Sequence, residues 1–199
     1  MKKKSGKLIV FYGTNNLGKT TQAHILLEKL QSQGLKSQYL KYPIYDLLPS
    51  GQILNDYLRN ANPNNLNPRE AQIIYTLNRT QFQNELEKKL QDGYYIIAED
   101  YTGTGLAWGQ GAGVNIEFLE NINQHLLQED LAILFDGERF KNSIEANHKH
   151  EEDDEFSHRV RQIHLDLAKK FNWKVVPANL SREEVAEKIW QIVKKNINN

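Results

Sequence analysis

Residues 13–20 read Gly13-Thr14-Asn15-Asn16-Leu17-Gly18-Lys19-Thr20, and this stretch decides the predicted fold. It has the pattern G-x-x-x-x-G-K-T. The apolar run at residues 8–12 before it is typical of a buried parallel strand. Apolar residues after it recur at helical spacing as far as Gly34, which predicts a helix that ends there. A strand, a glycine-rich loop and a helix in this order are what a phosphate-binding P-loop requires.

The P-loop hypothesis gives each part of this stretch a role. Glycines let several backbone N–H groups face one anion, and the helix N-terminus adds its positive dipole end. We assign Lys19 to the β- and γ-phosphates of ATP, and the hydroxyl of Thr20 to Mg²⁺. The predicted ATP-binding residues are Gly13, Asn15, Asn16, Leu17, Gly18, Lys19, Thr20 and Thr21.

Composition limits the class of protein. A chain of 199 residues with 39% apolar residues predicts a single domain over residues 1–199 with a sizeable core. Its 25 basic and 25 acidic residues balance, so charge gives no reason to expect a nucleic-acid partner. The absence of cysteine excludes disulfides and cysteine zinc sites. No apolar run has the length of a signal peptide or a transmembrane helix, so we expect a cytoplasmic protein with no membrane partner.

Strands and helices are predicted to alternate along the chain. Further strands are expected at about 37–42, 94–98, 131–135 and 174–176. Helices are expected at about 52–59, 68–91, 115–127 and 155–171 and after the capping box at 181–184, whereas 102–113 has the composition of a glycine-rich loop. This alternation predicts an α/β fold with a parallel sheet covered on both faces. Ligands bind such folds at the carboxyl ends of the strands.

Glu99 ends one of these predicted strands and is followed at once by Asp100. Phosphoryl transfer needs a carboxylate near Mg²⁺ or near the attacking oxygen, because catalysis is mostly positioning and charge neutralisation. Acidic residues also end strands without any function, but beside a P-loop we favour the functional interpretation. We predict Lys19 and Glu99 as catalytic residues, and Thr20 and Glu99 as metal ligands.

One face of the predicted long helix carries Gln72, Tyr75, Arg79 and Gln83. An aromatic ring beside a guanidinium and two amides can stack on a flat heterocycle and hydrogen-bond its edge. The pattern fits equally well a solvated face with one half-buried tyrosine. Spacing alone leaves both interpretations open.

A set of spaced motifs resembles the thymidylate kinase family over nearly the whole chain. The motifs are G-x-x-x-x-G-K-T-T-Q at 13–22, Tyr42-Pro43, Asn78-Arg79, Glu99-Asp100-Tyr101 with Thr104 and Leu106-Ala107-Trp108, and Phe156-Ser157-His158-Arg159-Val160-Arg161. The resemblance implies a P-loop NTPase fold of the nucleoside monophosphate kinase type, with three layers, a five-stranded parallel sheet and a lid at about 139–154. It also implies Mg²⁺-assisted transfer of the γ-phosphoryl group of ATP to dTMP, carried out by a homodimer.

The resemblance further implies the acceptor site. Tyr75 would stack on the base while Arg79 hydrogen-bonds its edge, and Pro43 is a candidate for a cis peptide bond. Asn15 stands where the family has an aspartate on the sugar 3′-hydroxyl, and residues 177–179 would border the adenine. The predicted substrate-binding residues are Asn15, Tyr42, Pro43, Gln72, Tyr75, Arg79, Asp100, Thr104 and Trp108.

Several departures from the family pattern concern positive charge. Asp100 stands where the family has an arginine that holds the acceptor's phosphate, and Tyr45 stands where a second such arginine often occurs. Asn16 occupies one of the two family positions for a transition-state arginine, and the predicted lid offers Arg139, Lys141 and Lys149. Each lost charge-assisted contact to a phosphate is worth roughly 1.5–3 kcal/mol. A transition-state arginine can be worth about a thousandfold in rate.

Three functions therefore stay open. A divergent thymidylate kinase would replace the missing arginines from elsewhere, with Lys41, Arg69 and lid lysines as candidates. A nucleoside kinase acting on thymidine or a related nucleoside has no acceptor phosphate to hold, and Glu99 would accept the proton of the 5′-hydroxyl. The third function is nucleotide binding with weak catalysis, against which the intact P-loop argues. Whole-chain resemblance favours the first.

Overall fold

The structure is a computed structural model that describes residues 6–139 and 154–197. Strands and helices alternate along these residues, as the sequence predicts. In chain order they are β1 (Lys7–Tyr12), α1 (Lys19–Ser32), β2 (Ser37–Lys41), α2 (Ser50–Arg59), α3 (Pro68–Gln91), β3 (Tyr95–Glu99), α4 (Thr102–Gly111), α5 (Ile116–Asn123), β4 (Leu131–Asp136), α6 (Asp154–Lys170), β5 (Lys174–Pro177) and α7 (Arg182–Ile197).

The strands of the described residues form one parallel sheet in the order β2-β3-β1-β4-β5. The central strand β1 pairs Phe11 with Glu99 of β3 on one side and with Ile133 of β4 on the other. The register of β2 against β3 places Lys41 beside Glu99. Because all strands run the same way, the segments that follow β1, β2 and β3 meet at one edge of the sheet. The predicted five-stranded parallel α/β fold is confirmed.

Helices cover both faces of the sheet, and β1 shows how the sequence separates the two. Ile9 and Phe11 point to one face, where they pack in a cluster with residues of α1 and α7. Leu8, Val10 and Tyr12 point to the other face, where they pack with residues of α3 and α6. A strand buried on both faces needs apolar residues at every position, which explains the continuous apolar run before the P-loop.

The long helix α3 has a well-defined start. The side chain of Asn67 accepts a hydrogen bond from the backbone N–H of Glu70, and the Glu70 carboxylate accepts one from the N–H of Asn67. Pro68 occupies the first turn, where its missing N–H has no cost. This capping box fixes where the helix begins and hence which of its side chains face the cleft.

The prediction of a loop at residues 102–113 is wrong, because residues 102–111 form helix α4. Glycine lowers helix propensity, but here it lets α4 approach its neighbours closely, and this packing outweighs the propensity. The helix predicted for 115–127 ends earlier, at Asn123. The predicted lid at 139–154 lies outside the described residues apart from its two ends.

Candidate active site

A cleft of about 520 Å³ opens at the carboxyl edge of the sheet. P-loop residues line one end, and side chains of α2, α3 and α4 line the other. Of the predicted site residues, all but Gly13 line this cleft: Asn15, Asn16, Leu17, Gly18, Lys19, Thr20, Thr21, Tyr42, Pro43, Gln72, Tyr75, Arg79, Glu99, Asp100, Thr104 and Trp108. The structure thus brings together residues that are up to 93 positions apart in the sequence.

The P-loop is a tight turn around the side chain of Lys19. Lys19 is 4% exposed, and its ammonium group donates hydrogen bonds to the carbonyl oxygens of Gly13 at 2.9 Å and Thr14 at 2.8 Å. Gly13 has a φ of 131°, and a Cβ there would lie 2.6 Å from the carbonyl oxygen of Phe135. This position therefore has room only for glycine. Gly18, with a φ of 78°, precedes the first residue of α1.

Three donors surround the buried carboxylate of Glu99. The Thr20 hydroxyl donates to Oε2 at 2.7 Å and the Tyr39 hydroxyl donates to the same oxygen at 2.6 Å. The ammonium of Lys41 lies 3.0 Å from Oε1. Burial raises the pKa of Glu99, but the charges of Lys19 and Lys41 and the two hydroxyl donors outweigh it and hold the pKa below its usual value. Glu99 therefore stays ionised at neutral pH.

Asp100 lies next to this carboxylate in a conformation unusual for a non-glycine residue, with a φ of 61°. Thr104 of α4 donates a hydrogen bond to its Oδ1 at 3.0 Å, and Lys19 Nζ lies 3.9 Å from the same oxygen. Burial and the neighbouring charge of Glu99 together outweigh Lys19 and raise the pKa of Asp100. Two adjacent carboxylates thus face the centre of the cleft.

The other end of the cleft contains buried polar atoms. Arg79 donates from Nη1 to Asn123 Oδ1 at 3.0 Å, and its guanidinium lies under α4 at Gly105. Within the described residues, Arg79 Nε, Gln72 Oε1 and the hydroxyl of Tyr42 are buried without a hydrogen-bond partner. Buried polar groups are usually paired, because leaving one unpaired costs about 1–3 kcal/mol. These three atoms are therefore candidates for contacts with a bound ligand.

Aromatic side chains form much of the wall around these atoms. The Tyr75 ring packs perpendicular to the Tyr57 ring at 6.5 Å, and Tyr42 packs at 5.2 Å from Tyr101. The peptide bond between Tyr42 and Pro43 is cis, as the family resemblance suggests. A flat heterocycle would meet apolar ring faces and only a few polar atoms here, a combination typical of small-molecule sites.

Two residues considered from the sequence lie away from the cleft. Gln83 hydrogen-bonds the backbone near α5, donating to the carbonyl of His125 and accepting from the N–H of Leu127. The guanidinium carbon of Arg69 lies 3.9 Å from the centre of the Phe118 ring, and Arg69 does not line the cleft. Of the named candidates for replacing the missing arginines, Lys41 does line it.

Sequence reasoning missed other polar groups of the site. Tyr39 contacts Glu99 because it lies two residues before Lys41 on β2, the strand beside β3. The period-2 alternation of a strand would have indicated it once that adjacency was known. Arg59 at the end of α2 and Arg182 at the start of α7 also line the cleft. No motif marks either residue.

One cleft joins the P-loop and the carboxylate at the end of the parallel sheet to a buried polar pocket. This arrangement defines a nucleotide kinase of the P-loop class. The family model for thymidylate kinase matches residues 11–189, so the chain belongs to the thymidylate kinase family.

Known relatives agree with this assignment. The chain is 27% identical to a thymidylate kinase of Dictyostelium discoideum, over 95% of this chain and 85% of that protein. It is 28% identical to a thymidylate kinase of Arabidopsis thaliana, over 96% of this chain and 72% of that protein. The solved structure of a thymidylate kinase from Candida albicans superposes with a TM-score of 0.82 at 25% identity, covering 97% of this chain and 94% of that one.

None of the described helices combines the length and the apolar character that crossing a bilayer requires.

Proposed function

We propose that this protein transfers the γ-phosphoryl group of ATP to dTMP, giving dTDP and ADP. The proposal rests on one observation. A single cleft joins the P-loop end, with Lys19 and Thr20, to the buried polar end, with Gln72 and Arg79. Its volume of about 520 Å³ is in the range of small-molecule sites. Family membership supports the same reaction.

The buried polar end offers partners for the edge of a thymine-type base. Gln72 Oε1 can only accept a hydrogen bond, and Arg79 Nε can only donate one. Thymine offers the complementary set, a ring N–H beside carbonyl oxygens. Tyr75 supplies the ring on which the base would stack.

At the P-loop end, Lys19 would neutralise charge on the phosphates of ATP. The acceptor oxygen would form the new bond to the γ-phosphorus while the bond from that phosphorus to the β–γ bridging oxygen breaks and ADP leaves. The hydroxyl of Thr20 and the carboxylate of Glu99 are 2.7 Å apart and are the hard oxygen ligands that Mg²⁺ prefers, so these residues fit the metal. A magnesium ion bound there would neutralise further charge on the transferred group. Glu99, kept ionised by its neighbours, suits that ligand role.

A nucleoside kinase is the second candidate, and the position of Asp100 favours it. This carboxylate lies in the cleft beside Glu99, where it would repel a phosphate dianion of the acceptor. A nucleoside brings no such charge. Glu99 would then accept the proton of the 5′-hydroxyl as that oxygen attacks the γ-phosphorus.

The deciding experiment measures ADP release with ATP and Mg²⁺, comparing dTMP with thymidine at equal concentrations and then dCMP and dUMP. We expect turnover with dTMP, weaker turnover with dUMP and little with dCMP. If thymidine is phosphorylated and dTMP is not, the protein is a nucleoside kinase and the proposal is wrong. If no acceptor leads to ADP release but the protein still binds ATP, its function would be nucleotide binding without catalysis.

The proposal includes how the protein is organised. The chain is one kinase domain whose lid is formed by residues 139–154, and it works in the cytoplasm as a homodimer. The homodimer is supported by an exposed apolar patch made of Leu48, Ile73 and Leu77, which are 67%, 47% and 38% exposed. Gln81 of α3 donates to the carbonyl of Leu48 and so holds it beside this face of the helix.

A further inference from the structure

Helix α3 supplies Arg79 to the buried polar end of the cleft, and the chain at the end of α5 contacts this helix through three of its side chains. Thr80 Oγ1 lies 2.8 Å from Nε2 of His125, and Gln83 Nε2 donates to the His125 carbonyl at 3.3 Å. Arg79 Nη1 donates to Asn123 Oδ1 at 3.0 Å. Of these contacts, only the one with Asn123 involves a side chain that lines the cleft. Asn123 therefore connects α5 directly to the site.

The side chain of Asn123 is fixed by its own helix. It is 7% exposed, and its Nδ2 donates to the carbonyl oxygen of Leu119, one turn earlier, at 2.8 Å. A carbonyl oxygen can only accept a hydrogen bond, so the amide nitrogen must face Leu119 and the amide oxygen must face Arg79. Leu119 is itself fully buried in a cluster formed by α4, α5 and α6. The acceptor for the guanidinium therefore has a defined position.

The contact with Asn123 holds one part of the Arg79 guanidinium and leaves another part without a partner. Within the described residues, the buried Nε of Arg79 has no hydrogen-bond partner. A Cβ on Gly105 would lie 2.9 Å from Nη2 and 3.1 Å from Gln72 Oε1, so helix α4 covers both groups closely. Because the guanidinium is planar and rigid, fixing Nη1 beneath this cover also fixes the direction in which the Nε–H group points.

Asn123 orients Arg79 without cancelling its charge. An amide oxygen is a neutral acceptor, whereas a carboxylate at the same place would form an ion pair with the guanidinium. Hydrogen bonds from a charged donor are roughly twice as strong as those between neutral groups. The neutral amide therefore leaves the full strength of the remaining N–H donors of Arg79 to a ligand.

We propose that Asn123 is the positioning residue for Arg79 and thereby determines how tightly the cleft holds the base of the acceptor. Without this contact the long arginine side chain would populate several rotamers, and its N–H groups would face the base in only some of them. The inference rests on the proposed function, because it places the base beside Gln72 and Arg79. It applies equally to dTMP and thymidine, which carry the same base.

Titration calorimetry with dTMP and with thymidine tests the inference by binding rather than turnover. In Asn123→Leu we expect both ligands to bind about five- to thirtyfold more weakly and by the same factor, while the KM for ATP stays within about twofold of wild type. Asn123→Asp keeps an acceptor oxygen for Arg79 but pairs its charge, so its loss of affinity should be smaller. The control Asn121→Leu changes an exposed residue of the same helix and should change neither affinity.

A double-mutant cycle separates positioning from general damage to the fold. If Asn123 acts through Arg79, adding Asn123→Leu to Arg79→Met should weaken either ligand further by less than about twofold. Additive losses in the cycle, or unchanged affinities in Asn123→Leu, would overturn the assignment. Thermal unfolding checks each variant, and Asn123→Ala provides the same cycle if Asn123→Leu does not fold.

The two proposals fail in different ways. If the wild-type protein phosphorylates dTMP, and Arg79→Met weakens dTMP binding whereas Asn123→Leu does not, only the role of Asn123 is wrong. If the wild-type protein phosphorylates thymidine alone, the proposed function is wrong, and the same cycle measured with thymidine decides the role of Asn123. If it binds neither dTMP nor thymidine, both proposals are wrong.

Discussion

At the scale of single residues, Glu99 controls the balance of charge in the cleft. It is 4% exposed, and Thr20, Tyr39 and Lys41 all contact its carboxylate. The sequence could indicate the carboxylate because it ends an apolar strand near a P-loop. It could not indicate Tyr39 or Arg59, because their contacts depend on which strands are neighbours and on how α2 folds back onto residue 45. Local pattern therefore predicts the P-loop half of the site better than the acceptor half.

Lys19→Ala should abolish phosphoryl transfer and leave the fold intact. The substitution removes a buried positive charge at the phosphates, and we expect turnover to fall by about a hundredfold or more. Alanine is a good helix former, so α1 should still begin at this residue. ADP release and thermal unfolding measure the two effects. The control is Lys29→Ala. Lys29 is on the same helix, and its ammonium group lies over the Trp190 ring. If Lys19→Ala turned over within twofold of wild type, the P-loop lysine would have no role in the reaction.

His164 should make stability depend on pH. It is fully buried on α6, and burial, aided by the charge of Lys19, lowers its pKa to about 3. In the unfolded chain a histidine takes up a proton near pH 6.5. The unfolded state therefore binds more protons between these values, so stability is fully present above about pH 6.5 and falls as the pH decreases towards 3. This group alone should contribute a slope of about 1.4 kcal/mol per pH unit.

Denaturant unfolding between pH 4.5 and 7.5 checks this expectation. His164→Leu removes the titrating group. The free energy of unfolding should then fall less steeply towards acid pH, and the difference in slope should be the contribution of His164. His158→Leu changes an exposed histidine on the same helix and should keep the wild-type profile. Identical slopes for wild type and His164→Leu would mean that other groups account for the pH dependence.

At the scale of elements, α4 shows where sequence pattern is insufficient. Its glycines suggest a loop, yet they are what lets the helix pack closely. A Cβ on Gly105 would lie 2.9 Å from Arg79 Nη2 and 3.1 Å from Gln72 Oε1. By contrast, α3 was predictable with its exact bounds, because Asn67, Pro68 and Glu70 form a start signal within four residues. Signals contained in one turn can be read from sequence, whereas packing between helices cannot.

Gly105→Ala should therefore impair the acceptor site through α4. The added methyl group displaces the guanidinium of Arg79 and the amide of Gln72, so we expect the KM for dTMP to rise at least about tenfold, with that for ATP nearly unchanged. Steady-state kinetics with each substrate varied in turn measures the effect. Gln110→Ala on the exposed side of α4 is the control. An equal rise in both constants would show that α4 does not act on the acceptor site alone.

At the scale of the whole molecule, the strand order explains why distant motifs form one site. The order β2-β3-β1-β4-β5 puts β1 next to β3, so the P-loop after β1 and the carboxylates after β3 are neighbours. The alternation of strands and helices predicts a parallel sheet, and with it the edge where ligands bind. It does not predict which surface a second copy would cover, because an exposed apolar residue on a helix has no distinctive pattern in the sequence.

The exposed patch of Leu48, Ile73 and Leu77 should hold two copies together. Ile73 and Leu77 lie one turn apart on α3, so replacing both by lysine puts like charges into a self-complementary contact and should convert a dimer into a monomer. Sedimentation and light scattering measure the mass, and circular dichroism checks the fold. The control Val175→Lys changes an equally exposed apolar residue on β5 and should leave the mass unchanged. A dimer that survives Ile73→Lys with Leu77→Lys but dissociates with Val175→Lys would place the interface at the β5 edge of the sheet.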